Sequence, residues 1–203
     1  MKRYAMAGLA AGAAMMIGGA LAAVSGNAPS NLAAPHSEVM NPMIAGQAML
    51  ADRNLLDNVT ASPDHTAFAA AMKTSGVAEA LISNGQFTVF APVNSAMVSL
   101  PARAQDDKAR LARLVGYLVV PGKYDSQALL KAIGEGGGQA RLRTVEGDVL
   151  LARMNGPTNI ILVDANGNTA DISIYDVYNR NGVLHVVDRM LLPGAAMPQV
   201  AAK

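Results

Sequence analysis

Three side chains in this chain could together run nucleophilic chemistry: Ser95, His185 and Asp188. A serine nucleophile needs a histidine base within hydrogen-bond reach and a carboxylate that orients the imidazole. His185 sits in Leu184-His185-Val186-Val187, an apolar run that reads as a strand. Strand side chains alternate in face, so positions 185 and 188 point opposite ways and Asp188 is badly placed to orient His185. No Gly-x-Ser-x-Gly elbow is present. The sequence therefore predicts no catalytic residue, and a hydrolase using His185 is only a remote alternative. His185 reads instead as a core histidine whose ring nitrogens bond backbone groups.

Other ligand chemistries fare no better. His36, His65 and His185 are far apart and form no metal-spaced pair. Met40, Met43 and Met49 offer the soft thioethers that suit Cu(I), yet with 12 Met in the chain, gap filling is the ordinary role for them. Gly134-Glu135-Gly136-Gly137-Gly138 lacks the Lys-Ser/Thr of a phosphate-binding loop and does not open a helix. Asn58-Val59-Thr60 fits a glycosylation sequon, read here as a chance match. No metal and no cofactor are expected.

Composition narrows the class. Hydrophobic residues make up 51% of 203 residues and charged ones 15%, enough for a full core. Trp is absent and there are only 3 Phe and 5 Tyr, so Leu, Val, Ile, Ala and Met must build it. With no cysteine, disulfides, thiol catalysis and zinc thiolates are excluded. The 16 basic residues fall to 14 against 15 acidic ones if Lys2 and Arg3 leave with a leader, net −1. Such a balance predicts no nucleic-acid partner.

The chain opens with Met1-Lys2-Arg3 and then no charge from Tyr4 to Val24, with Ala20-Leu21-Ala22 as a small-x-small cleavage site. Residues 1–22 read as a secretory signal peptide. The competing reading is an uncleaved anchor, the only case in which membrane contact is expected. Residues 23–44 read as a flexible linker, 45–194 as one domain and 195–203 as a loose tail.

Helical spacing dominates the first half. Asn54 to Ala61, Thr66 to Ser75 (with Gly76 placed to cap it), Val77 to Ile82, Asp106 to Tyr117 and Gln127 to Ile133 read as short helices. Phe87-Thr88-Val89-Phe90 reads as a strand between them. From Ala140 the period changes to two: Arg141 to Val145, Val149 to Leu151, Asn159 to Asp164 and Thr169 to Tyr175 read as strands joined by tight turns. Helices first and strands later give an α+β fold with a mostly antiparallel sheet.

Two segments carry a family resemblance. Thr88-Val89-Phe90-Ala91-Pro92-Val93-Asn94-Ser95-Ala96 and Asn181-Gly182-Val183-Leu184-His185-Val186-Val187-Asp188-Arg189-Met190-Leu191-Leu192-Pro193 resemble the paired motifs of the fasciclin domain. The resemblance covers roughly Leu55 to Pro193 and implies a β-wedge following several helices. It also implies that Phe90, Pro92, Asn94 and His185 are structural residues of the motifs, with the two segments side by side in the core. Tyr117 falls where the family often carries Tyr-His before a Val-Val-Pro-Gly stretch; here Leu118 replaces the His. Asp176-Val177 falls where adhesive members carry Asp-Ile. Tyr117, Asp176 and Val177 are thus the candidate binding residues that the resemblance suggests.

The function so implied is that of a non-catalytic interaction or adhesion module, secreted or periplasmic, acting at the cell envelope or in an extracellular matrix. Its partner would be a surface protein or a polysaccharide, and the protein itself a monomer. Some fasciclin-like proteins carry carotenoids, so the alternative is a binder of an apolar small ligand. The Ala- and Met-rich core favours that alternative and the shortage of aromatics opposes it.

Overall fold

The computed structural model describes residues 41–82, 85–98, 100 and 107–194. The expected leader, most of the expected linker, His36, Met40, Asp106 and the tail after Gly194 lie outside them.

Caps set where the helices begin. Asn54 Oδ1 accepts the Asp57 N–H at 2.8 Å and starts α1, Leu55–Ala61. After the 3₁₀ turn Pro63–His65, α2 runs Thr66–Ser75 and stops at Gly76, whose φ of +81° is left-handed. α3, Val77–Ile82, leads towards the strand Phe87–Pro92, and α4 is the single turn Asn94–Met97. Asp107 caps α5, Lys108–Tyr117, and Asp125 caps α6, Ser126–Glu135. α6 begins and ends further out than its apolar spacing predicts, because Asp125 caps one residue before Ser126 and the helix runs to Glu135 before Gly136 closes it.

The strands in chain order are β1 Met43–Ile44, β2 Gln47–Ala48, β3 Phe87–Pro92, β4 Val119–Pro121 and β5 Gln139–Arg143. Then follow β6 Val149–Asn155, β7 Asn159–Val163, β8 Thr169–Asn179 and β9 Gly182–Val187. The ribbon β1–β2 has no counterpart among the expected elements. Asn41 also donates to Tyr178 O and accepts from Tyr178 N–H, both at 2.7 Å, so ordered structure begins before residue 45. β5 starts and ends two residues before the expected strand, and β8 runs on to Asn179.

The other seven strands form one sheet in the order β4-β3-β9-β8-β7-β6-β5. Every neighbouring pair is antiparallel except β3–β9, which is parallel from Phe87↔Gly182 to Pro92↔Val187. The predominance of antiparallel pairing matches the hairpin spacing, and the exception joins the two motif segments. A parallel pair needs a long crossover, and among the described residues the crossover here contains three helices, α4 to α6, and five strands, β4 to β8. Phe68, Phe90, Met72, Leu55 and Tyr117 are among the largest wholly buried side chains of the core.

The start of β9 leaves no room for a side chain. Gly182 has φ +150°, and a Cβ there would lie 1.8 Å from Phe87 O. Gly167, at φ +84° in the β7–β8 turn, would meet nothing within 4 Å. Gly182→Ala should therefore cost about 3–5 kcal/mol through overlap with a fixed backbone, and Gly167→Ala only about 1–2 kcal/mol of left-handed strain. Urea denaturation midpoints of the two variants check the ordering.

Candidate functional site

His185 lies in β9, where every residue is buried. Its ring stacks on Phe90 of β3 at 5.6 Å between centroids and 20° between planes, and meets the edge of Tyr175 at 6.0 Å and 74°. Nε2 is 2.8 Å from Tyr124 O, and Nδ1 accepts the Asp176 N–H at 3.3 Å. Those partners require the neutral tautomer with the proton on Nε2, which donates to Tyr124 O. The ring thus touches the other motif segment only by stacking. Its hydrogen bonds go to the loop before α6 and to β8.

Asp176 reaches that position through an irregularity in β8. Its φ is +59°, unusual for a residue other than glycine, and the β8–β9 register slips between Ile174 and Val177. The bulge turns the Asp176 carboxylate away from the sheet and onto the first turn of α6. Oδ1 accepts the Ser126 N–H at 2.7 Å and Oδ2 accepts the Ser126 hydroxyl at 2.5 Å. Asp125 Oδ1 accepts the Ala128 N–H at 2.9 Å. Two carboxylates therefore meet the positive end of one helix. One residue, Asp176, joins His185 through its backbone and α6 through its side chain.

Burial lowers the pKa of His185, against the opposing pull of the Tyr124 carbonyl and the Asp176 and Asp125 carboxylates. His65 shares the direction for the same first cause, opposed by Asp64 and the Ala91 backbone. Its Nδ1 lies 2.8 Å from Ser62 Oγ, and both side chains are buried.

The other singled-out residues go to different places. Ser95 and Asp188 border one shallow polar cavity with Arg189 and Asn168, and His185 does not line it. Asp188 Oδ1 accepts the Asp171 N–H at 2.7 Å and so pins β8 to the end of β9. Asn94 Oδ1 accepts from Ala67 N at 3.0 Å and Thr66 Oγ1 at 3.2 Å, while its Nδ2 donates to Pro63 O at 2.9 Å. It fastens α4 to the start of α2. Phe90 and Pro92 are buried in β3. Tyr117 and Val177 are both 0% exposed, so neither offers surface to a partner. The Tyr117 hydroxyl donates to Val149 O at 3.2 Å and accepts the Ala165 N–H at 3.0 Å, and burial pushes its pKa up to about 12. The hydroxyl thus ties α5 to β6 and to the β7–β8 turn. Asp176 is half-buried and engaged as described.

Sequence reasoning passed over Tyr124, Asp125 and Ser126. An Asp before an apolar helical run is a capping signal that could have found Asp125. Nothing in the sequence links Ser126 to Asp176, which lie 50 residues apart. Among the described residues no group of three His, Cys, Asp or Glu side chains could hold a metal ion.

The fold has counterparts among known proteins. The sequence profile of the fasciclin domain matches residues 63–193. This chain belongs to the fasciclin domain family. It is 30% identical to human periostin over 147 residues, 70% of this chain and 16% of periostin. It is 33% identical over 131 residues to Protein sll1483 of Synechocystis, covering 61% of this chain and 64% of that protein. The chain thus spans less than two thirds of either relative. Among solved structures, a FAS1 domain pair from the insect cell adhesion molecule Fasciclin I superposes with a TM-score of 0.60 at 17% identity, over 72% of this chain and 53% of that one. That likeness fixes the fold, helices followed by a mixed sheet of the fasciclin type. The α1 helix and the β1–β2 ribbon precede the matched region, yet Asn181 at the motif turn accepts the Leu55 N–H at 2.8 Å.

His185→Ala should cost about 2–4 kcal/mol from the cavity and the orphaned polar partners. For a histidine whose folded pKa is depressed, the unfolded chain binds the proton first. The stability it contributes is present above the unfolded value of about 6.5 and is lost as pH falls through that value towards the folded one. Wild-type stability should therefore drop below about pH 6.5, and His185→Gln should flatten part of that slope in thermal melts from pH 7.5 to 5. A slope unchanged in His185→Gln would assign the effect to His65 instead. Asp176→Ala should cost about 2–3 kcal/mol through the lost charged contacts to Ser126, whereas Asp176→Asn, tolerant of left-handed backbone, should cost about half as much. Chemical denaturation of the pair measures the difference.

Proposed function

We propose that this fasciclin domain is an exported, non-catalytic interaction module that works in adhesion at the cell envelope or in an extracellular matrix. One observation carries the reading: three polar side chains of the motifs, His185, Asn94 and Asp188, spend hydrogen bonds inside the fold. His185 bonds Tyr124 and Asp176, Asn94 bonds Pro63 and Ala67, and Asp188 bonds Asp171. None is left poised towards a substrate, which suits a rigid scaffold that presents its surface. Export rests on the Lys2-Arg3 start and the uncharged Tyr4 to Val24 stretch. The partner is a surface protein or a polysaccharide, met by a monomer.

A second reading has one observation of its own. Ala67, Ala70, Ala71 and Thr74 of α2 face Met97, Val98 and Leu111 across a cavity of about 350 Å³. Small residues leave this apolar space open, and an apolar small ligand would fit it. The absorption spectrum of protein purified from its native host separates the readings, because a carotenoid would colour it. For the adhesion reading, a strain lacking the protein should attach to surfaces or aggregate less, and wild-type protein should restore it. Normal attachment together with empty pull-downs from envelope extract would end that reading.

A further inference from the structure

The shallow polar cleft beside the motif strands holds hydrogen-bonding groups that the fold does not consume. Its volume is about 550 Å³, and it lies where β3 and β9 both end. Ser95 of α4, Asn168 and Thr169 at the start of β8, and Asp188-Arg189-Met190 after β9 line it from three elements. Those walls are fastened. Asn94, next to Ser95, bonds Pro63 O and the Ala67 N–H. Buried Asp164 accepts the Asn168 N–H at 2.8 Å and the Leu192 N–H at 3.0 Å, which ties the β7–β8 turn to the chain after β9. The backbone at the cleft is spent as well, since the Asp188 N–H donates to Asp171 O at 3.2 Å. Recognition there falls to side chains.

What the side chains offer decides the ligand. The Ser95 and Thr169 hydroxyls have no partner among the described residues. The Asn168 amide donates to Asp164 Oδ2 at 2.9 Å, which leaves its own Oδ1 as an acceptor. Arg189 Nε lies 3.7 Å from Asp188 Oδ2, and its Nη groups remain as donors. The other Asp188 oxygen is taken by the Asp171 N–H, so Asp188 holds and neutralises Arg189 rather than meeting a ligand. The cleft thus interleaves donors and acceptors without net charge. A carboxylate or phosphate would have to compete with Asp188 for the guanidinium. An apolar ligand would strip water from four polar groups and give nothing back. A sugar hydroxyl both donates and accepts, and two neighbouring hydroxyls match a guanidinium beside an amide oxygen.

Resting on the reading as an adhesion module, we propose that this cleft binds a neutral polysaccharide. Arg189, Asn168, Ser95 and Thr169 take the hydroxyls of one sugar ring, and Met190 meets its C–H face. No base stands beside Ser95, because His185 does not line the cleft, so the sugar is held and not cleaved. With no aromatic ring to stack on, one cleft binds weakly, with a Kd of about 1 mM. Firm attachment comes from many domains on one polymer.

The test titrates the full protein with oligosaccharides of glucose, mannose and galactose, with an oligogalacturonate, and with a Ser-Gly repeat peptide that carries hydroxyls without a ring. Backbone amide shifts in NMR spectra are the readout. A neutral oligosaccharide should move Ser95, Asn168, Thr169 and Arg189 with a Kd of about 1 mM, and the oligogalacturonate and the peptide should bind about tenfold more weakly. Arg189→Ala should weaken the neutral sugar about tenfold and Thr169→Val about threefold. Asp188→Asn keeps the acceptor for the Asp171 N–H and removes the charge, so it should turn the preference towards the oligogalacturonate. No shift from any neutral oligosaccharide, or shifts centred elsewhere, would overturn the proposal. So would equal binding by the peptide or the oligogalacturonate, or unchanged binding in Arg189→Ala. Should Asp188→Asn not fold, the wild-type titrations and Arg189→Ala still decide. Loss of attachment in the deletion strain without sugar binding sinks this proposal alone; sugar binding with normal attachment sinks the adhesion reading alone.

Discussion

The parallel pairing of β3 with β9 is the constraint on which the rest of the molecule depends. It joins residues 87–92 to residues 182–187 and places every other sheet strand on one side or the other of that seam. Closing so long a loop costs entropy that local contacts do not repay. The return comes from burial on both faces: Val89, Phe90 and Ala91 on one strand and Val183 to Val187 on the other are essentially solvent-free. The approach is so close that only glycine fits at position 182.

His185 follows from that pairing rather than adding to it. A polar ring inside two buried strands is tolerable only if both nitrogens are used, and no group of β3 is free to use them. The donors and acceptors come from outside the pair, from Tyr124 and from the bulged Asp176. The bulge in β8 is thus explained by the histidine opposite it, and the left-handed φ of Asp176 is held by Ser126 on one side and His185 on the other. Strain, burial and capping form one unit, in which no member can change without exposing another.

Much of the fold was legible because its local signals agree. Helical spacing in the first half, Gly76 and the period-two runs after Ala140 placed helices and strands close to where they stand. The two motif segments, and the buried role of His185, followed from apolar runs and resemblance. What the sequence hid was long-range. Tyr117 and Val177 look like recognition residues by position, but their burial depends on turns contributed by Ala165 and on β9. The Ser126–Asp176 contact depends on a bulge that no residue type announces.

The order of the strands along the chain also governs when the domain can exist at all during synthesis. Among the described residues β9 is the last element, and it lies in the middle of the sheet between β3 and β8. A ribosome that has delivered everything up to residue 181 has released two sheet fragments with no shared strand and a helical layer with half its floor missing. Such a chain holds few of its sequence-distant contacts, so it gains little from partial collapse. The domain therefore assembles only after synthesis of its core is complete.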